Sequence, residues 1–474
     1  MAVVVTCDPG PWLEEALAAL AAQDYPNLSV LVIDAGSFDD PTPRVASVLP
    51  SAYVRRLPDR VGFSQAANEV LAIVEGASHY LFCHDDVAPE PDTIRVLVEE
   101  AFRSNAGIVS PKLVDWEHPD RLLAVGQSVD KTGVVADLVD IGELDQEQHD
   151  SVRDVFCAPG ACVLVRADLF ASMRGFDPGI DLYGETLNLS WRAQVAGARV
   201  VVAPGVRVRH IEAMSQGRRQ GWDDAGAPAR AFALEEEHRI RTILTCYGIF
   251  HLIRVLPQAL ALTLAQSTVQ LVTGRPAMAK ASFLAWPRAL RRFGSLVAAR
   301  RDVQRHRSVG DGEVRRLQAS GSANLRAFVR SALAGQSPLD ALAANKVIST
   351  RLASRTWRLP VAAWATTAVV LLIGTRSLLS HGLPGVGSLP VFNTGPSGWW
   401  HLWWSGWRPD GLGSAGTAPP ALALLGLAGT LLLGGAGVLQ KVLILGPLVI
   451  GPVGAYRSAK PLGSPIARAA VLVA

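Results

Sequence analysis

Short β-branched apolar runs that end in polar residues recur early in the chain: AVVVT (Ala2–Thr6), LSVLVIDAG (Leu28–Gly36) and HYLFCHDD (His79–Asp86). Between them apolar residues return at helical spacing in PWLEEALAALAAQ (Pro11–Gln23) and SQAANEVLAIVE (Ser64–Glu75). Such alternation predicts βαβ units around a mostly parallel sheet, that is, a Rossmann-like α/β domain. Pro11 suits the first turn of its helix, where a missing N–H is no loss. Further strands are expected at GIVSPKLV (Gly107–Val114), ACVLVR (Ala161–Arg166) and ARVVVAPGVRVRH (Ala198–His210). Ligands of these sheets sit beyond the carboxyl ends of the strands, which is where Asp34, Asp85 and Asp86 fall.

The pattern changes after residue 240. Thr242–Thr273 is apolar except for Arg254 and a few small polar residues, with Pro257 near its middle. One straight helix of that length would measure about 48 Å against a hydrocarbon core of roughly 30 Å. Arg275–Arg307 then carries nine Lys/Arg and the single acid Asp302, which the positive-inside tendency places in the cytoplasm. A helical hairpin kinked near Pro257, or helices lying in the interface, returns the chain to the side it left; a tilted single span is the alternative. Membrane spans are expected at Leu359–Leu379, Ala418–Leu439 and Val442–Ala455. Between the first two, the tryptophans of PSGWWHLWWSGWRPDGLGS (Pro396–Ser414) suit a headgroup boundary or the lining of an acceptor groove. The expected division is therefore an α/β domain over 1–240, membrane-interfacial or hairpin helices over 241–275, a basic cytoplasmic helical linker over 276–358, and transmembrane helices over 359–474. The last residues, ARAAVLVA, stop inside an apolar run, as the opening of a longer membrane domain would.

Composition narrows the partners. A net charge of +3, with no basic run interleaved with aromatics, argues against nucleic acid. The five cysteines (Cys7, Cys83, Cys157, Cys162, Cys246) stand in apolar contexts without metal-ligand spacing and read as reduced core residues of a cytosolic compartment. Met1 leads directly into AVVVT with no charged n-region, so no secretory signal peptide is expected there.

In order and spacing, VVVT, VLVIDAGSFDD, VGFSQAANEVL, FCHDDVAPEP and GFDPGIDLYGETLNLSWRAQVAGARVVVAPGVRVRH resemble the family 2 glycosyltransferases of GT-A fold, in particular bacterial rhamnosyl- and galactofuranosyl-transferase-like members. The resemblance covers roughly residues 2–215. It implies a nucleotide-diphosphate sugar donor, a lipid-linked or cell-envelope glycan acceptor, inversion at the anomeric carbon, and Mg²⁺ or Mn²⁺ to neutralise the leaving diphosphate. It places the metal on Asp86 and Asp85 on the donor's ribose or sugar, although an Asp pair after a strand also suits a turn or helix cap. Asp34 would contact the base or ribose, with Thr6 and Asp8 bordering the same pocket; the bland reading of Asp34–Ser37 is a tight turn. Arg60 or Asn68 would reach the donor phosphates, Gly62 permitting close backbone approach, unless this is only a polar helix start. His210 would join the metal or diphosphate, or be structural.

The general base is where the chain departs from the pattern. Relatives commonly read Gly-Glu-Asp-x-Asp-Leu-x-Trp-Arg, with the first Asp as the base; here the segment is Gly184-Glu185-Thr186-Leu187-Asn188-Leu189-Ser190-Trp191-Arg192. Threonine cannot take a proton near neutral pH, so Glu185 is the candidate base, with Asp181 behind it; a carboxylate there also suits a helix start. The rival reading is a degenerate domain that binds donor or scaffolds a membrane protein. The apolar spans and the basic stretch before them point to a multi-pass cell-membrane protein with its N-terminal domain in the cytoplasm. SGWRPDGLGS is similar to a loop of large actinobacterial membrane glycosyltransferases with lipid-linked donors, and 39 Arg against 6 Lys suits such a GC-rich source.

Overall fold

The computed structural model describes residues 1–140, 142–219, 227–272, 276–319, 366–367, 370–371, 373–378, 395–408, 413–431 and 436–459. The apolar runs become strands and the periodic segments helices, beginning β1 (Ala2–Thr6), α1 (Leu13–Ala21), β2 (Val30–Asp34), α2 (Thr42–Val48), β3 (Tyr53–Arg56), α3 (Phe63–Asn68), α4 (Val70–Ile73) and β4 (His79–His84). They continue as β5 (Val87–Pro89), α5 (Thr93–Ser104), β6 (Ala106–Asp115), β7 (Leu122–Ala124), β8 (Gln127–Val129), β9 (Val135–Asp137), β10 (Arg153–Asp154), β11 (Cys162–Arg166), α6 (Ala167–Ser172), α7 (Glu185–Val195) and β12 (Arg199–His210). The main sheet runs β10-β12-β6-β11-β4-β1-β2-β3, with β5 and β7 on its flanks. β3, β2, β1 and β4 are mutually parallel and β11 is antiparallel to both its neighbours, so the sheet is mixed.

Both faces are covered. Val3 and Val5 pack with Ile33, Phe82 and Phe170 on one side, while Ala2 and Val4 pack with Leu17, Leu81 and Leu97 on the other. A strand buried on both faces has no polar positions to alternate with, which is why β1 reads as an unbroken apolar run. A third cluster ties α7 to the helices downstream of the sheet: fully buried Trp191 meets Phe156 and Tyr247 edge-on at centroid distances of 5.0 and 4.8 Å.

α1 starts at Leu13, leaving Pro11 in the preceding turn, and the helix expected over Ser64–Glu75 is two short helices interrupted at Glu69. Downstream lie α8 (Ala227–Cys246), α9 (Ile249–Val272), α10 (Pro276–Arg291), α11 (Phe293–Arg305) and α12 (Asp311–Val314). α9 runs unbroken through Pro257; the break expected there falls instead at Tyr247–Gly248. The orphan carbonyls at the end of α8 explain this placement. Arg300 donates to Leu244 and Tyr247 O, and Gly248 N–H donates to Asp311 Oδ2 at 2.9 Å.

Two compact units divide the chain, Met1–Ala353 and Ser354–Ala474. In the second, the tryptophan-rich stretch forms α13 (Pro396–Trp404), whose neighbours in sequence are α14 (Pro420–Leu431) and α15 (Ala436–Ser458). Most of the span expected over Leu359–Leu379 lies outside the described residues. Among the described residues two helices are long and apolar enough to cross a membrane, over Ile249–Thr268 and Leu439–Tyr456.

Candidate functional site

Parallel register sets the site. Thr6, the last residue of β1, pairs with Asp34, the last of β2, which in turn pairs with Arg56, the last of β3. On the other side of β1, Val5 pairs with His84, the last residue of β4. Four chain ends therefore open on one edge. Asp34 is fully buried; its Oδ1 accepts from Ser37 N–H (2.9 Å) and Ser37 Oγ (2.6 Å), and its Oδ2 lies 3.3 Å from Arg56 Nε. Beside it Gly36, Ser37, Arg56, Leu57 and Pro58 line a cavity of about 340 Å³, in the range of small-molecule pockets. Asp8 bridges the strand ends: its Oδ1 accepts from Phe38 N–H, and its Oδ2 pairs with Arg60 at 2.9 Å.

Asp85 is spoken for by protein groups. Thr6 Oγ1 donates to its Oδ2 at 2.6 Å, and Arg219 grips both oxygens at 3.0 and 2.5 Å while also donating to Cys7 O. Asp86 differs. Its Oδ2 accepts from Ala213 N–H at 2.9 Å, but its Oδ1, buried, has no hydrogen-bond partner. His210 Nε2 lies 3.4 Å and His84 Nδ1 3.8 Å from that oxygen. One ligand atom from each of the three residues falls within 4.8 Å of the others. Burial pushes the Asp86 carboxyl up, yet the His210 imidazole, with His84 and Arg219, outweighs it and holds the group well below the usual carboxylate range. Burial drives His84 down to about 4, leaving a neutral ring with a lone pair. A buried carboxylate oxygen flanked by two imidazoles fits a divalent cation. Nitrogen donors suit Mn²⁺ better than Mg²⁺.

Glu185 opens α7 after two residues of positive φ, Tyr183 (62°) and Gly184 (92°). The left-handed region disfavours a side chain, so the Tyr183 turn needs support from elsewhere. It comes from α8, whose His238 Nδ1 lies 2.7 Å from Leu182 O and 2.9 Å from Tyr183 O. Glu185 Oε2 is enclosed without a hydrogen-bond partner, and burial raises its carboxyl to about 6. One segment touches both the end of β4 and the start of α7. His84 N–H donates to Ala161 O, and a Cβ placed on neighbouring Gly160 would fall 3.7 Å from Glu185 Oε1 and 3.1 Å from Thr186 Oγ1. Phe63 completes the bridge, its ring 5.3 Å from that of His84, while a Cβ at Gly62 would lie 2.3 Å from Asp181 O.

A family model described as "Glycosyl transferase family 2" matches residues 1–171. N-acetylglucosaminyl-diphospho-decaprenol L-rhamnosyltransferase of Mycobacterium tuberculosis, in strains CDC 1551 / Oshkosh and ATCC 25618 / H37Rv, is 32% identical over 241 residues; the alignment covers 46% of this chain and 77% of that protein. The chain belongs to glycosyl transferase family 2. More distant likenesses are GalNAc-T7 with UDP, GalNAc and Mn2+ (14% identity, TM-score 0.43, 55% of this chain and 50% of that one) and S. aureus TarS 1-349 in complex with UDP (16%, 0.40, 72% and 88%).

Of the residues singled out in this family 2 chain, the structure gathers Thr6, Asp8, Asp34, Arg60, Asp85, Asp86 and His210 on the carboxyl edge. It does not bring Asn68 there: the Asn68 amide donates to Phe176 O at 2.9 Å and accepts from Phe176 N–H at 2.8 Å, tying two loops together. Gly62 permits a close backbone approach, to Asp181 of the base segment. Three residues were missed. His84 was readable as the first member of HDD; Arg56 ends an exposed, polar strand with no apolar signal; Arg219 sits in SQGRRQG, where nothing but the paired arginines marks it.

Proposed function

We propose that this chain transfers a sugar, of the deoxyhexose class its mycobacterial relatives' name suggests, from a nucleotide-diphosphate donor to a prenyl-diphosphate-linked saccharide. The transfer proceeds with inversion at the cytoplasmic face of a membrane. Asp34 and the Gly36–Pro58 cavity would take the nucleoside, with Thr6, Asp8 and Arg60 along its edge. Asp86, His84 and His210 would hold Mn²⁺ or Mg²⁺, which when bound offsets the charge of the departing diphosphate. Glu185 would accept the proton of the acceptor hydroxyl as that oxygen bonds the anomeric carbon; the bond to the diphosphate oxygen breaks in the same displacement, which is what inverts the centre. Arg219, now on Asp85, stands ready to pair with a diphosphate in its place.

The observation that carries this reading is the cluster of His84, Asp86 and His210, whose ligand atoms lie within 4.8 Å of one another at the strand ends, together with Glu185, whose enclosed Oε2 has no hydrogen-bond partner at the start of α7. The test is turnover of a panel including nucleoside-diphosphate rhamnose, with N-acetylglucosaminyl-diphospho-prenol as acceptor and Mn²⁺ or Mg²⁺ added. Product of opposite anomeric configuration, lost in Asp86→Asn and Glu185→Gln, supports it. Metal-dependent donor binding with no transfer to any acceptor, unchanged in Glu185→Gln, would identify a donor-binding module instead.

A further inference from the structure

α9 buries Leu252, Val255 and Ala259 in its first half, but from Leu260 onward its polarity is inverted for a helix in water. Its inward stripe holds the polar side chains Thr263, Ser267 and Gln270, all buried, with Thr263 Oγ1 accepting from Trp286 Nε1 at 3.2 Å and Gln270 Oε1 from Ser282 Oγ at 3.1 Å. The outward face of the whole helix presents Ile249, Phe250, Ile253, Leu260, Leu262, Leu264 and Leu271, with Phe250 and Ile253 88% and 65% exposed, interrupted by Arg254, Gln258 and Thr268. An amphipathic helix in water turns these two faces the other way. Apolar surface outside and hydrogen-bonded polar groups between helices is the arrangement that hydrocarbon rewards.

α9 cannot be crossing that hydrocarbon with α10 beside it. The contacts Thr263–Trp286 and Gln270–Ser282 run antiparallel along the two helices, and α10 exposes Lys280, Arg288 and Arg291 together with Phe283 and Leu290. Among the described residues none of these three cations, nor Arg292, forms an ion pair, and the one acid from 275 to 307, Asp302, faces Arg174 and His306. A two-fold contact with a second copy would set this basic surface against itself. Anionic headgroups complement it. We propose that the outward face of α9, flanked by the cations of α10, lies in the plane of an anionic bilayer and seats the Met1–Ala353 unit on it. This stands on the polarity of α9 and is independent of the sugar, the acceptor and the Leu439–Tyr456 helix.

The full chain is reconstituted in phosphatidylglycerol/phosphatidylcholine vesicles after an environment-sensitive fluorophore is attached to Phe250→Cys, Ile253→Cys, Leu260→Cys or Leu264→Cys, with exposed Phe38→Cys as reference and the unsubstituted chain as background. At the four α9 positions emission should shift to the blue and brominated acyl chains should quench it, while iodide quenching falls by more than half relative to position 38. The shift should shrink in phosphatidylcholine alone. Iodide access equal to position 38 overturns the proposal, and equal shifts in neutral and anionic vesicles overturn its electrostatic half. Protection that depends on protein concentration rather than lipid identifies a second copy as the occupant and overturns it too. Should a variant misfold, a carbene-generating lipid applied to the unsubstituted chain must label peptides within 249–272; their absence among labelled peptides refutes the inference without any mutation.

Discussion

Replacing Glu185 by Gln removes a charge and almost no volume, so it separates chemistry from packing. General-base assistance is worth about 10²–10⁴-fold, or roughly 3–5 kcal/mol of barrier, and Gln supplies none of it. Because burial raises the Glu185 carboxyl to about 6 from an ordinary 4.5, the folded chain holds that proton more tightly than the unfolded one. Below about pH 4.5 both states are protonated and Glu185 costs nothing; as pH rises the unfolded chain ionises first, and the penalty is complete once pH passes about 6. At one pKa unit per 1.36 kcal/mol, it levels off on the order of 1–2 kcal/mol. Glu185→Gln should therefore lose activity and gain stability together at pH 8, with no stability gain at pH 4. In the parent chain kcat/KM should fall about tenfold per pH unit below about 6. Initial rates across pH, paired with thermal melts of both proteins, read both effects. A variant that keeps its rate, or one that melts earlier at pH 8, would show that Glu185 only starts a helix.

Asp86→Asn retains an acceptor for Ala213 N–H but not the charge, so calorimetric Mn²⁺ binding should vanish; because the folded chain holds this carboxyl well below its usual range, the ionised group also stabilises the fold, and the variant should melt earlier at pH 7, the difference shrinking as pH falls below the ordinary carboxylate range. Arg219→Ala should weaken binding of a nucleoside diphosphate by about ten- to a hundredfold, the scale of hydrogen bonds to a charged group, read by titration at fixed salt. Asp177→Ala strands the buried Arg241, which now donates to both its oxygens at 2.9 Å; a stability loss of about 3–5 kcal/mol is expected, seen as a lower denaturation midpoint.

The parallel half of the sheet was legible because β1, β2 and β4 are buried on both faces and leave a continuous apolar trace. β3 was not, for the sequence Tyr-Val-Arg-Arg lies at the sheet edge with three of its four residues exposed; its pairing comes from register with β2 rather than from its own composition. The Asp86 corner was legible as HDD after a strand, but the second imidazole of the His84–Asp86–His210 cluster depends on His210 lying opposite Val87 across the β12–β5 ladder, a contact across more than a hundred residues. Asn68 looked like a phosphate contact because polar residues at a helix end have either use. Only the three-dimensional path of Gly175–Phe176 decides between them, since the Asn68 amide is matched to both backbone groups of Phe176.

One helix connects Glu185, the proposed base, to the surface proposed to meet lipid. α8 packs against α7, α10 and α11. Its His238 holds the carbonyls of Leu182 and Tyr183, its Arg241 holds Asp177 upstream of the same turn, and its Thr242 accepts from the Asn188 amide. A left-handed Tyr183 persists only where its surroundings over-determine it, and here little more than one turn of α8, residues 238–242, supplies those constraints. The residues that aim Glu185 thus come from outside the strand-end motifs proposed to bind donor. A sheet with that corner intact but α8 displaced would keep the His84–Asp86–His210 cluster and lose the orientation of Glu185. The neutral residues at 186 and 188 are consistent with that division: Thr186 is buried against Gly160 in the loop before β11 and Asn188 against Thr242 of α8, which leaves the one carboxylate of the segment at the turn that α8 fixes.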